Sequence, residues 1–118
     1  MSEHRREKQR QVAYAVLYPR LVPVAKKHGY ALALHGSMVR DLDVIAIPWV
    51  AKPSTHVELA AAIAKKLDAF KPSKFTKRFH GRLACVITIP DVFFNDSKPF
   101  YFDLSVMHTH RITGSEEQ

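Results

Sequence analysis

His35-Gly36-Ser37-Met38-Val39-Arg40-Asp41-Leu42-Asp43-Val44-Ile45-Ala46-Ile47 joins a glycine-serine turn to a run that opens with two acids and ends wholly apolar. Successive side chains of a strand leave opposite faces, so Asp41 and Asp43 present their carboxylates on one face, with Cα atoms about 6.6 Å apart. Two metal ions roughly 4 Å apart fit between such groups. Each part also has an ordinary reading. Gly36 alone is a turn residue, Ser37 alone a cap or turn hydroxyl, and the whole segment suits a hairpin loop. A third acid changes the weighting. Asp103 sits inside Phe100-Tyr101-Phe102-Asp103-Leu104-Ser105-Val106, and a carboxylate in a buried strand is costly unless it is paired, protonated or metal-bound.

Outward from this segment, the pattern gives helix, strand, strand, helix, strand, strand. Residues 8 to 28 favour a helix through Val12, Ala13, Val16, Leu17, Leu21, Val24 and Ala25, with Pro19 and Pro23 expected to kink or divide it. Lys26, Lys27, His28 and Gly29 read as its end, with cations where the helix dipole favours them. Tyr30 to Leu34 and Leu42 to Trp49 read as short strands. Ser54 or Thr55 caps a second helix, Glu58 completes a capping box, and the apolar stripe runs from Val57 to a stop near Phe70, before Pro72. Arg82 to Ile89 alternates like a strand, Lys74 to His80 is a candidate extra edge strand, and Phe100 to Met107 is the last strand. The expected fold is α+β: a small mixed sheet of about four strands, helices on one face, and the three acids on the other. At 118 residues it is expected to be one domain, residues 1–118, with flexible tails at 1–8 and 112–118.

Composition removes several classes. Hydrophobic residues make up 47% and charged residues 25%, which fits a packed domain rather than a disordered chain. No apolar run approaches the roughly 18 residues that span a bilayer. The charged start, without an apolar segment after it, and the single Cys85 are expected of a cytoplasmic protein without disulfides or a cysteine-rich zinc site. The net charge of +7 is unevenly spread: residues 1–30 hold seven Lys or Arg against two acids, and residues 65–82 hold seven against Asp68 alone. Basic segments around an acidic centre suit a metal site that handles a polyanion, although on charge alone a solvated basic exterior that aids solubility is the better reading.

Together, Gly36-Ser37, Asp41-Leu42-Asp43 and the later Asp103 resemble the DNA polymerase β-like nucleotidyltransferase superfamily over most of the chain. That superfamily carries a Gly-Ser ending one strand, an Asp-x-Asp opening the next, and a third Asp on a later apolar strand. The resemblance implies that Asp41, Asp43 and Asp103 bind Mg²⁺ or Mn²⁺ and act in catalysis, with Asp103 helping to deprotonate an acceptor hydroxyl. It implies that Gly36 and Ser37 contact the phosphates of a nucleoside triphosphate (NTP). The activity implied is nucleotidyl transfer to a hydroxyl on a protein or nucleic acid. Only Met38, Val39 and Arg40 separate Ser37 from Asp41, where the superfamily usually inserts a short helix and longer loop; Arg40 either substitutes as a phosphate contact or pairs with Asp41 or Asp43. The shortened turn favours the alternative, a catalytically degenerate fold that binds nucleic acid or a host protein. His-Gly-Ser-x-x-Arg-Asp-Leu-Asp followed by Pro-Trp also resembles small uncharacterised bacteriophage proteins.

Other residues have competing readings. His35 adjoins the turn as ligand, proton shuttle or phosphate donor, or as an ordinary strand-end histidine. His108 and His110 lack the further ligands of a transition-metal site and read as surface residues. Ser37 lacks a Gly-x-Ser-x-Gly elbow, and no Walker or dinucleotide loop is present. A metal nuclease usually carries a Lys or Glu near its acids on the same strand, and residues 41–46 offer none. Lys74, Lys77, Arg78 and Arg82 interleave with Phe75 and Phe79, a combination that binds single-stranded nucleic acid; the ordinary reading turns those aromatics into the core. Trp49 is expected in the core or at its rim.

Overall fold

The computed structural model describes residues 3–38, 41–90 and 100–107. Among them, α1 (Glu3–Lys27) and α2 (His56–Lys66) pack on one face of a five-stranded sheet built from β1 (Tyr30–His35), β2 (Asp41–Pro48), β3 (Thr76–Lys77), β4 (Leu83–Ile89) and β5 (Phe100–Val106). The strand order is β1-β2-β5-β4-β3. Only the central β2–β5 pair is parallel; β1–β2, β4–β5 and β3–β4 are antiparallel. The α+β class, the mixed sheet and the single helical face match expectation, and β3 supplies the extra edge strand.

Alternation builds the core. Leu42, Val44 and Ala46 of β2, Phe100, Phe102, Leu104 and Val106 of β5, and Cys85, Ile87 and Ile89 of β4 share the face that meets Tyr14, Leu17 and Leu21 of α1 and Leu59, Ala60 and Ile63 of α2. The residues between them, including Asp41, Asp43, Ser105 and Asp103, leave the opposite face. No helix long and apolar enough to cross a membrane occurs among the described residues.

α1 starts at Glu3, earlier than the expected residue 8, so residues 3–8 belong to the helix; of the two outcomes expected of Pro19 and Pro23 it does not divide, and runs for 25 residues through both. Pro19 and Pro23 are exposed, so the carbonyls of Ala15 and Pro19 that lose a helical donor lie on the solvent side. Residues 112–118 lie outside the described residues.

The ends of α2 show one signal the sequence carried and one it hid. Thr55 caps the helix: Glu58 N–H donates to Thr55 Oγ1 (3.1 Å) and Thr55 N–H donates to Glu58 Oε1 (2.9 Å). The Thr55 N–H and the Thr55 hydroxyl (3.2 Å), both donating to Glu58 Oε1, hold the Glu58 carboxyl below its usual range. The helix ends at Lys66 rather than near Phe70. Asp68 takes a left-handed φ of 52°, its N–H donates to the Lys65 carbonyl and Ala69 N–H to the Ala64 carbonyl. This is a Schellman stop with Asp where glycine is usual, so no glycine announced it. Asp68→Gly should therefore stabilise the protein by about 1 kcal/mol, because it removes a left-handed penalty and an anion from a helix C-terminus. Urea unfolding midpoints would measure the gain, and an unchanged or lower midpoint would contradict it.

Candidate active site

The parallel pairing of β2 with β5 brings the separated acids together. Asp43 is the direct register partner of Asp103, and Asp41 lies one alternation away, opposite Tyr101. On the other side of β2, Asp43 is paired with His35, and Asp103 is paired with Val86. The open face thus carries a lateral row His35, Asp43, Asp103, Val86, with neighbouring strands about 4.8 Å apart. Asp41, Asp43 and Asp103 are all half-buried and His35 is exposed.

The carboxylates feel one another. Burial raises the Asp43 pKa first, the Asp103 charge raises it further, His35 opposes them, and Asp41 adds a smaller upward push. A divalent cation offsets that repulsion, and all-oxygen donors suit Mg²⁺ or Mn²⁺. As the side chains stand, no three His, Cys, Asp or Glu groups among the described residues are gathered into a cluster able to hold a metal. The donor chemistry fits the ion, then, while the side chains are not gathered into a three-ligand set.

Gly36 and Asp43 are in direct contact. Gly36 has φ +81°, and a Cβ placed there would lie 2.6 Å from Asp43 Oδ2. Glycine is required twice: for the left-handed backbone and for the space that the carboxylate fills. Met38 also has a positive φ of 62° and packs against the core, so the loop curls back toward the helices. Its floor is α1, where Gln11 Nε2 donates to the Ser37 carbonyl (2.9 Å). Arg40 lies outside the described residues.

Three residues of α1 behind the site were not singled out from sequence. Besides Gln11, Tyr14 is fully buried; its hydroxyl accepts from the Tyr101 N–H (3.3 Å), and its ring meets Phe100 edge-on at 5.5 Å. Burial pushes the phenol up to about 12, with Asp41 and Asp43 adding to the shift and Arg10 opposing it. Arg10 is buried, its guanidinium 5.9 Å from the Phe100 ring centroid. Gln11 is 26 and Tyr14 is 87 residues from its partner, so no local motif could expose these contacts. Cys85, on the helix face, is held as a neutral thiol, raised to about 12 by burial and then by Asp103.

The cationic segment divides. Lys74, Lys77 and Arg78 are exposed and Arg82 is half-buried. Phe75 follows the ordinary reading, packing on the core with its ring 4.6 Å from His56. Phe79 does not: it is 86% exposed on a 3₁₀ turn, Phe79–Gly81. Trp49 sits at the rim, 58% exposed. His108 and His110 lie outside the described residues.

The chain matches no protein-family model and no curated protein. Its fold is similar to that of the Cid1 poly(U) polymerase solved with MgGTP bound: TM-score 0.53, 17% identity, over 86% of this chain and 32% of that one. At that identity the likeness is one of fold, and it establishes a nucleotidyltransferase-like fold spanning about a third of the polymerase.

Proposed function

We propose that this protein is a minimal nucleotidyltransferase, transferring a nucleotidyl group from an NTP to a hydroxyl on a nucleic acid or protein, with pyrophosphate as the leaving group. The observation that carries the reading is the in-register Asp43–Asp103 pair, on the open face of a nucleotidyltransferase-like sheet, with Gly36 against the Asp43 carboxylate. Asp41, Asp43 and Asp103 would hold Mg²⁺ or Mn²⁺. Such an ion supplies neutralisation of phosphate charge and a lowered pKa for a bound hydroxyl. Asp103 orients the acceptor hydroxyl and takes its proton at a carboxylate oxygen. Gly36 and Ser37 offer backbone N–H groups to the triphosphate, with Gln11 fixing the loop through the Ser37 carbonyl. Tyr14, neutral at physiological pH, holds the Tyr101 backbone and so the start of β5.

A second reading has its own support. Because the three carboxylates are not gathered into one cluster, the fold also suits a catalytically inactive module that binds nucleic acid or a host protein. Both readings are tested by incubating the protein with each labelled NTP, Mg²⁺ or Mn²⁺, and an oligonucleotide acceptor, alongside thermal unfolding. Transfer, or metal-dependent stabilisation of about 3 kcal/mol at a hundredfold excess of NTP over its Kd, supports the enzyme. Neither effect with any NTP, while nucleic acid still binds, supports the module.

A further inference from the structure

The sheet edge opposite β1 carries a feature that nucleotidyl transfer does not require. Residues 70–77 run antiparallel to β4 along its outer side. Phe70 N–H donates to the Thr88 carbonyl (3.0 Å), Ser73 N–H to the Val86 carbonyl (2.9 Å), and Val86 N–H returns to Ser73 Oγ (2.8 Å). Thr76 and Lys77 then pair with Ala84 and Leu83. Arg78 N–H donates to the Arg82 carbonyl (2.7 Å), closing a tight turn that holds Phe79 outward.

Along this edge the exposed aromatic and charged side chains are Phe70, Lys71, Lys74, Lys77, Arg78 and Phe79, the two rings being 58% and 86% exposed, with Ser73 and Thr76 exposed between them. No acid occurs between residues 69 and 90. A lone exposed aromatic is ordinary. Here two bracket four cations on an extended backbone. From the level of Thr88 to that of Leu83 the track is about 17 Å long, the length of about five stacked nucleotides.

We propose that this edge is a binding site for single-stranded nucleic acid. The cations follow the phosphates, and Phe70 and Phe79 stack on unpaired bases. A duplex hides its base faces and offers the rings nothing. The edge also addresses the carboxylates. Ser73 neighbours Val86, which neighbours Asp103, so the track passes about 10 Å from Asp103. A second row, Thr88, Tyr101, Asp41, crosses the same face from the level at which the Phe70 N–H meets the Thr88 carbonyl, with Tyr101 42% exposed at its middle. The strand's end reaches the acids over that row. Its delivery as an acceptor rests on the transfer activity proposed above; its binding does not.

The test is fluorescence anisotropy with the full chain in EDTA and without NTP, so that binding is read apart from transfer. The probes are fluorescein-labelled oligo(U) and oligo(dT) of about 15 nucleotides, long enough for one site, and a duplex of the same length. Both single strands should bind more tightly than the duplex, and the ratio between them shows whether RNA or DNA is preferred. Phe79→Ala should weaken binding roughly tenfold and Phe79→Trp restore it. Combined Lys74→Ala, Lys77→Ala and Arg78→Ala should reduce the log–log salt slope by about 2. Lys26→Glu with Lys27→Glu, on the far end of α1, should change affinity less than twofold. The proposal is overturned if Phe79→Ala binds like the parent, if the α1 variant loses as much as the edge variant, or if polyglutamate displaces the strand equally well per charge.

Discussion

Replacing Asp43 by Asn is expected to raise the melting temperature of the free protein at pH 7 while removing stabilisation by Mg²⁺ plus NTP and lowering transfer by roughly 10³-fold. The loss follows from deleting one carboxylate of the Asp43–Asp103 pair, since metal stabilisation is worth several kcal/mol and each 1.36 kcal/mol is tenfold. The gain follows from the direction of the Asp43 pKa, which is raised by burial and by Asp103. A carboxyl whose folded pKa exceeds its unfolded value binds more protons when folded in the interval between the two. Stability therefore falls as pH rises through that interval, and the deficit persists to neutral pH. Asn carries no charge and escapes the deficit. Because Asp43 is only half-buried, solvent screening limits the gain to under about 1 kcal/mol, or up to about 4 °C. Calorimetry of both proteins in EDTA at pH 7 and well below the unfolded carboxyl range should show the gain only at pH 7. A variant that melts lower than the parent at pH 7, or one that keeps transfer, would remove Asp43 from the site.

Why this site was legible lies in the alternation of two strands. Asp41-Leu42-Asp43-Val44 and Phe102-Asp103-Leu104 each put acids on one face and core residues on the other. Any fold that buries Leu42, Val44, Phe102 and Leu104 together turns Asp43 and Asp103 to the same side. Their direct pairing was not written in either strand; it comes from β5 inserting between β2 and β4, a long-range choice made by packing on α1 and α2. The floor of the site was hidden for the same reason. Gln11 and Tyr14 read locally as ordinary helical residues, and only the crossing of α1 behind β1, β2 and β5 gives them the Ser37 carbonyl and the Tyr101 N–H as partners.

Other elements turn on a residue used against its usual habit. Asp68 occupies a left-handed stop where glycine is usual, so the helix ends before Phe70, and Pro19 and Pro23 leave their helix undivided because they lie on its solvent side. Phe75 and Phe79, read either as stacking groups or as core, divide: Phe75 packs inward and Phe79 is exposed at the tight Arg78–Arg82 closure. Aromatic identity states how much area burial could gain, and the turn decides whether the ring can reach the core.

Gly36→Ala should separate backbone strain from site geometry, with Gly81→Ala as its measure. Both glycines have left-handed φ, +81° and +74°, so alanine at either position should cost about 1–2 kcal/mol. Their surroundings differ. A Cβ on residue 81 meets nothing within 4 Å, whereas one on residue 36 meets Asp43 Oδ2 at 2.6 Å. That atom is the far end of a rotatable side chain, so the carboxylate swings aside rather than the backbone breaking. The two variants should consequently unfold at similar urea concentrations. Stabilisation by Mg²⁺ plus NTP should survive in Gly81→Ala and fall in Gly36→Ala, where a displacement near 1 Å of the carboxylate proposed to bind metal should cost on the order of 10²-fold in transfer. Adding Asp43→Asn to Gly36→Ala should then bring the loss only to that of Asp43→Asn alone, about 10³-fold rather than the product of the two, because both changes act on the same carboxylate. Fully additive losses would mean that Gly36 and Asp43 act independently, and the contact between them would not be what ties the glycine-serine turn to the acids.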